Sequence, residues 1–240
     1  MCIRDSFYTM KATINLVSFL FLFVLVACNN SPKGEKVEAS AAKETTAEAK
    51  SDASAMDIVT YNVNKGTINW TGSKVVGTSS HQGTLSVALG DLRAKGDKVI
   101  AGQFTIDMNS VENTDLDAGK GKEKLEGHLK SPDFFDVAKY PTATFVLTGS
   151  APASGNPDAT HEITGNLTMK DVTKSVTIPA NIAIVDNKLT AVTSSFTIDR
   201  TEWGIKYGSS SIAGIAKDKI ISNDLALVLN IEATANVPVQ

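Results

Sequence analysis

The sequence predicts an all-β protein built on one antiparallel sheet, and three observations carry that expectation. From Asp57 onward apolar residues recur at alternate positions, turn-forming residues separate the alternating runs, and the helical crossovers of a parallel sheet are missing. The composition suits a folded domain: 240 residues, 42% apolar and 20% charged, with a formal charge of −3. Moderate charge of this kind argues against wholesale disorder. No block of Lys and Arg is present to grip a phosphate backbone, so nucleic acid is not the expected partner. The two cysteines, Cys2 and Cys28, both precede the foldable region, which excludes an intradomain disulfide or a thiolate metal cluster.

The chain opens on a leader. Leu16 to Ala27 form twelve uncharged residues, LVSFLFLFVLVA, preceded by Lys11 and followed at once by Cys28. A spanning helix needs about 20 apolar residues, whereas about 7–15 behind a positive charge make an export signal. Asp5 offsets Arg4 in the first nine residues, so Met10 beside Lys11 is the better start and residues 1–9 read as an extraneous addition. Leu25-Val26-Ala27-Cys28 resembles a bacterial lipobox, in which the signal is cut before the cysteine and the thiol takes diacylglycerol. That resemblance makes 1–27 the leader and the mature chain an exported lipoprotein, anchored to a membrane of the bacterial envelope and facing the periplasm.

Residues 29–56 contain no aromatic side chain and one valine among Lys, Glu, Ala, Ser and Thr. Such a stretch buries too little to order itself, so 28–56 is expected to be a lipidated cysteine and a flexible tether of roughly 30 Å. The domain is then 57–240, with 17 basic and 20 acidic residues.

Within it, strands are expected near 57–63, 67–76, 83–92, 98–108, 142–150, 161–169, 174–185, 189–200 and 220–232. Leu85, Val87 and Leu89 share a parity, as do Phe104, Ile106 and Met108. Val176, Ile178, Ala180, Ile182 and Ile184 do so again, and then Leu225, Leu227, Leu229 and Ile231. Hairpin chemistry falls at Ala94-Lys95-Gly96-Asp97, Lys170-Asp171-Val172-Thr173 and Asp186-Asn187. Pro179, which has no amide hydrogen, must sit at an edge or a bulge. One helical inset interrupts the strands between Asn113 and Lys130. Ser131-Pro132-Asp133 reads as an N-cap opening a further turn through Phe134 and Phe135. A sheet of this many one-sided strands must close into a barrel or fold into a sandwich. An eight-stranded barrel has room for side chains or for one small ligand, and parity does not separate the two.

Catalytic motifs are missing. There is no His-Glu-x-x-His, no Gly-x-Ser-x-Gly, no Walker loop and no Gly-x-Gly-x-x-Gly after a strand. Asp115-x-Asp117-x-Gly119 lacks the later ligands of a calcium loop, so neither a metal nor a cofactor is expected. His81, His128 and His161 share no metal spacing; if His81 and His128 converge at a barrel mouth, they would hold a polar headgroup in a pH-sensitive way. Arg200 is one of two arginines in the domain. A salt bridge to Glu202 or Asp199 is its simpler reading, and a clamp on phosphate or carbonyl oxygen the sharper one.

Several segments together resemble the YceI-like polyisoprenoid-binding family. They are Trp70-Thr71-Gly72 with Gly77 and His81-Gln82-Gly83, then Gly102-x-Phe104-x-Ile106-Asp107, then His128 through Val137 with Tyr140-Pro141-x-x-x-Phe145. Gly165 through Met169, Val172-Thr173-Lys174 and Ile198-Asp199-Arg200-x-x-Trp203-Gly204-Ile205 complete the set. Leu129-Lys130-Ser131-Pro132-Asp133-Phe134-Phe135 carries most of the weight, and Trp203 stands where Phe or Tyr is commoner.

The resemblance implies an eight-stranded, lipocalin-like antiparallel β-barrel with an apolar tunnel for an isoprenoid, quinone-like or other long-chain amphiphile. Burial of each five-carbon unit would yield roughly 3–4 kcal/mol gross, so a few units suffice for micromolar binding. The expected lining is Trp70, Leu85, Val87, Phe104, Ile106, Phe145, Leu167, Val176, Ile178, Phe196, Leu227 and Leu229, with Phe134 and Phe135 near the mouth. His81, His128, Asp133 and Arg200 are the headgroup candidates, Cys28 is the lipidation site, and a homodimer is compatible with this reading. A filled barrel serving envelope stress or structure is the first alternative, and a lipid-modifying enzyme the second.

Overall fold

The computed structural model describes residues 32–45 and 57–236. Cys28, the leader and the rest of the expected tether lie outside the described residues. Two short strands, β1 (Glu35–Lys36) and β2 (Ser40–Ala41), precede the domain. It then runs through β3 (Ile58–Ser73), β4 (Ser80–Lys95) and β5 (Lys98–Asn113). Helix α1 (Lys122–Lys130) follows, then β6 (Thr142–Pro152), β7 (His161–Met169) and β8 (Val172–Val185). The last strands are β9 (Lys188–Thr193), β10 (Phe196–Asp199) and β11 (Asp224–Ala235).

Neighbouring strands pair antiparallel from β3 through β9, and β11 returns to pair with β3, β9 and β10, so the sheet is an eight-stranded closed barrel. In this count β9 and β10 are two halves of one strand, broken at Ser194-Ser195. The predicted hairpins form because their residues tolerate positive φ. Lys170 and Asp171 stand at 48° and 62°, Asp186 and Asn187 at 47° and 63°, the two-residue geometry that matches strand twist.

Three expectations on local structure are corrected. The runs 57–63 and 67–76 are one strand. A bulge opposite Glu232/Ala233 inserts Asn64, so Tyr61 and Val63 share the interior with Gly66, Ile68 and Trp70 although their parities differ. Gly66 is required there, since a Cβ would lie 2.5 Å from the Cβ of Val87. Bulges in β4 likewise end the predicted Leu85-Val87-Leu89 face: Leu85 is buried, but Leu89 is 73% exposed and the interior parity moves to Leu92 and Ala94. The helical inset is shorter than 113–130. The expected turn through Phe134 and Phe135 does form, with the amide of Phe134 donating to the carbonyl of Ser131 at 3.1 Å, but the Ser131 side chain does not cap it: its Oγ and its amide both donate to the carbonyl of His128.

The fourth correction is the tether. Residues 33–43 are bonded along the barrel wall. β8 pairs with β9 only from Ala180 onward, and β10 pairs with β11 alone among the barrel strands, leaving a seam between the first half of β8 and β10. Pro179 sits one residue before the β8–β9 ladder begins, where its missing amide leaves no gap in that ladder. The N-terminal segment occupies the seam: β1 lies parallel to β10 and β2 antiparallel to β8. The amides of Glu35 and Val37 donate to the carbonyls of Ser195 and Thr197, at 3.0 and 2.8 Å. Buried Asn166 exchanges two hydrogen bonds with the backbone of Lys43, at 2.9 and 2.7 Å. Val37 is buried and joins the core. A polar segment orders here because the two bare strand edges supply its hydrogen bonds, so one buried side chain is enough.

Candidate functional site

Inside the barrel the apolar faces do not meet. They enclose a cavity of about 220 Å³, from Ile68 and Trp70 on β3 round to Leu225, Leu227 and Leu229 on β11, with α1 and the Phe134–Phe135 turn beside its open end. A second, smaller cavity of about 70 Å³ lies deeper, toward Leu92, Val99 and Leu189. Phe104 and Phe145 border both and stack with their ring centroids 5.1 Å apart, forming a waist between them. Phe145 holds that position because its ring lies over Gly165, where a Cβ would meet ring atoms at 2.1 Å.

Polar groups gather at the open end. Lys74, Ser79, Ser80, His81, Arg200, Ser222 and Asp224 all line it there, at strand ends and loops, while the waist and floor are hydrocarbon except for Thr193, whose Oγ1 accepts from the amide of Leu229. The site is therefore amphipathic along its length.

Of the expected lining residues, all but Val87 border the larger cavity, Phe134 and Phe135 included. Val87 packs instead against Gly66 and lies between two register shifts of β4. Met108, Val111, Leu125, Leu129, Met169, Ile198, Ile205 and Ile221 line the larger cavity as well, beyond the expected set. Met108 and Ile198 share the parity of Ile106 and Phe196, which is the signal that marks them in the sequence. The loop residues Ile205 and Ile221 carried none.

The headgroup candidates separate into two groups. His81 and Arg200 line the cavity, whereas His128 and Asp133 pair with each other at 3.2 Å beside it. The His128 ring stands edge-on to both Phe134 and Tyr207. His81 contacts Asp115 at 2.8 Å. For Asp115, burial alone would raise the pKa, but the amide of Gln82 with the side chains of His81 and Asn113 outweighs it and holds the carboxyl below the usual range.

Arg200 departs from its simpler reading. Glu202 is taken by Lys174 at 2.7 Å, Asp199 accepts from Thr201, and no carboxylate lies within ion-pair distance of Arg200 among the described residues. The guanidinium is buried and donates to three backbone carbonyls, those of Ser222, Ile205 and Ile221, at 3.0, 2.7 and 3.4 Å. Burial lowers its pKa, opposed by the charge of Asp199, and its face lies over Phe134 at 5.8 Å. It fastens the 204–223 loop to the barrel and leaves a cation on the cavity wall. No group of three or more His, Cys, Asp or Glu suited to a metal occurs among the described residues.

A closed antiparallel barrel with an apolar interior, open at one polar end, is a barrel of the lipocalin type. The chain belongs to the family of the YceI-like domain, whose model matches residues 59–233. It is 42% identical over 80 residues to a UPF0312 protein of Pseudomonas aeruginosa and 40% identical over 78 residues to Protein YceI of Salmonella arizonae. These alignments span 33% and 32% of this chain, and only 36% and 35% of the relatives' own length. Among solved structures, Burkholderia cenocepacia BcnA matches at a TM-score of 0.53 and 22% identity, covering 70% of this chain and 96% of that one. A polyisoprenoid binding domain from Saccharophagus degradans, implicated in plant cell wall breakdown, matches at 0.51 and 15%, covering 73% and 98%. At these identities the likeness establishes the fold.

Proposed function

We propose that this protein binds a long-chain amphiphile of isoprenoid, quinone-like or related type, and sequesters or carries it in the bacterial envelope. The observation that carries this is the cavity itself: almost wholly hydrocarbon at its waist and floor, where the hydroxyl of Thr193 is taken by the amide of Leu229, with charged groups confined to its mouth. An isoprenoid tail placed there gains roughly 0.8 kcal/mol per buried methylene, and a polar head is left beside Arg200 and His81. The Saccharophagus degradans neighbour, a polyisoprenoid binding domain, points to the same ligand class. The hollow interior disfavours the filled-barrel alternative, and binding requires no turnover. We further propose that Cys28 bears the lipid anchor, on the strength of the leader that precedes it.

Native purification of the chain from Asn29 onward, followed by organic extraction and mass spectrometry, tests this reading. Recovery of a long-chain lipid in stoichiometric amount is the expected result. A blank extract from folded protein that also takes up no added isoprenoid would overturn it.

A further inference from the structure

The open end of the barrel is framed by the 74–79 loop and the 204–223 loop, which are sewn together. Lys74 bridges to Ile221, the amide of Val75 donates to the carbonyl of Ile220 at 3.0 Å, and that of Ser222 to the carbonyl of Ser73, at the end of β3, at 2.8 Å. Eight large apolar side chains are exposed among the described residues, and four of them, Val75, Val76, Tyr207 and Ile212, stand on these two loops, 42–49% exposed. The other four are scattered over the strands. The same loops carry Lys74, Lys206, Lys217 and Lys219 against a single acid, Asp218, in a domain where acids outnumber bases. None of the four lysines is in an ion pair with a carboxylate among the described residues. Of the acids nearby, Asp115 is in contact with His81 and Asp133 with His128, and Asp224 lines the cavity mouth.

Exposed apolar loop tips ringed by unpaired cations have one matching partner, a surface that presents negative headgroups above hydrocarbon. We propose that this rim docks the open end of the barrel on an anionic lipid bilayer. Val75, Val76 and Ile212 enter the headgroup layer, Tyr207 sits at the interface with its ring inward and its hydroxyl in water, and the lysines face lipid phosphate. The arrangement sets the mouth of an apolar cavity against the phase in which a long-chain lipid is dissolved. The tail would then pass between the two without crossing bulk water. This goes beyond the carrier reading, which concerns the interior and not the surface.

The test is flotation of the chain from Asn29 onward, which keeps every described residue and lacks Cys28, with vesicles of phosphatidylcholine alone or with about one third phosphatidylglycerol. Expected is binding to the anionic vesicles only, weakened by salt. The pairs Lys206→Glu with Lys217→Glu, and Val76→Asp with Ile212→Asp, should each weaken binding about tenfold or more. Leu89→Asp, an equivalent change on the barrel wall, should bind as the parent does. Urea unfolding midpoints establish that the variants are folded. Equal binding to both vesicle types, no binding to either, or full binding by the folded rim variants would overturn the proposal. Extraction of bound lipid from the same preparations keeps the two readings apart: lipid recovered without docking sinks only the rim, and docking with an empty cavity sinks only the carrier.

Discussion

Two tryptophans of similar burial make opposite predictions about stability. The indole N–H of Trp203 donates to the carbonyl of Leu167 at 3.0 Å, and the side chain is fully buried. Trp203→Phe removes that bond and leaves a void, and should cost about 2–4 kcal/mol in urea unfolding. The Nε1 of Trp70 is buried with no hydrogen-bond partner. Trp70→Phe removes an unsatisfied donor along with some packing, so the two changes offset and the expected difference is within about 1 kcal/mol. Asp115 predicts a pH response. Its pKa is depressed in the folded state, so its contribution is present above the unfolded value near 3.8 and disappears as pH falls through the lower folded value. Asp115→Asn should therefore flatten the fall in melting temperature on acidification below about pH 4, and an unchanged slope would contradict the assignment.

Among the elements, the seam segment makes the largest claim. A chain beginning at Asp57 loses Val37 from the core and bares the facing edges of β8 and β10. The expected cost is about 2–3 kcal/mol in unfolding free energy, together with faster loss of extracted lipid than from a chain that begins at Asn29. Val37→Asp in the longer chain should reproduce both effects, whereas unchanged stability in both would mean that the segment closes nothing. This element was illegible in the sequence for a physical reason. Most of its ordering comes from backbone groups, which every residue carries, and its one apolar side chain stands among Lys, Glu, Ala and Ser. The barrel strands were legible because each displays a run of alternate apolar residues. Their limits failed where bulges changed the parity, at Asn64 and around Val87.

For the whole molecule, alternation predicted a sheet with one greasy face, and resemblance supplied its closure and hollow interior. What alternation could not supply was the distinction between wall and filler. Leu85 and Val87 read alike, yet one borders the cavity and the other fills the space above Gly66. Nor could it show that Arg200 spends its hydrogen bonds on carbonyls of a loop up to 22 residues away, because those acceptors have no side-chain signature.

The docked N-terminal segment changes what a lipid on Cys28 would do. With the carbonyl of Lys33 bonded to Ser195, only five peptide links separate Cys28 from Lys33, and five links stretch to no more than about 18 Å. Were Cys28 lipidated, a link that short would be a mooring rather than a leash. The rise from Ser195 to Asp199, roughly 13 Å, is of the same order as the slack. A barrel anchored in that way would keep its mouth within reach of the leaflet that holds the lipid.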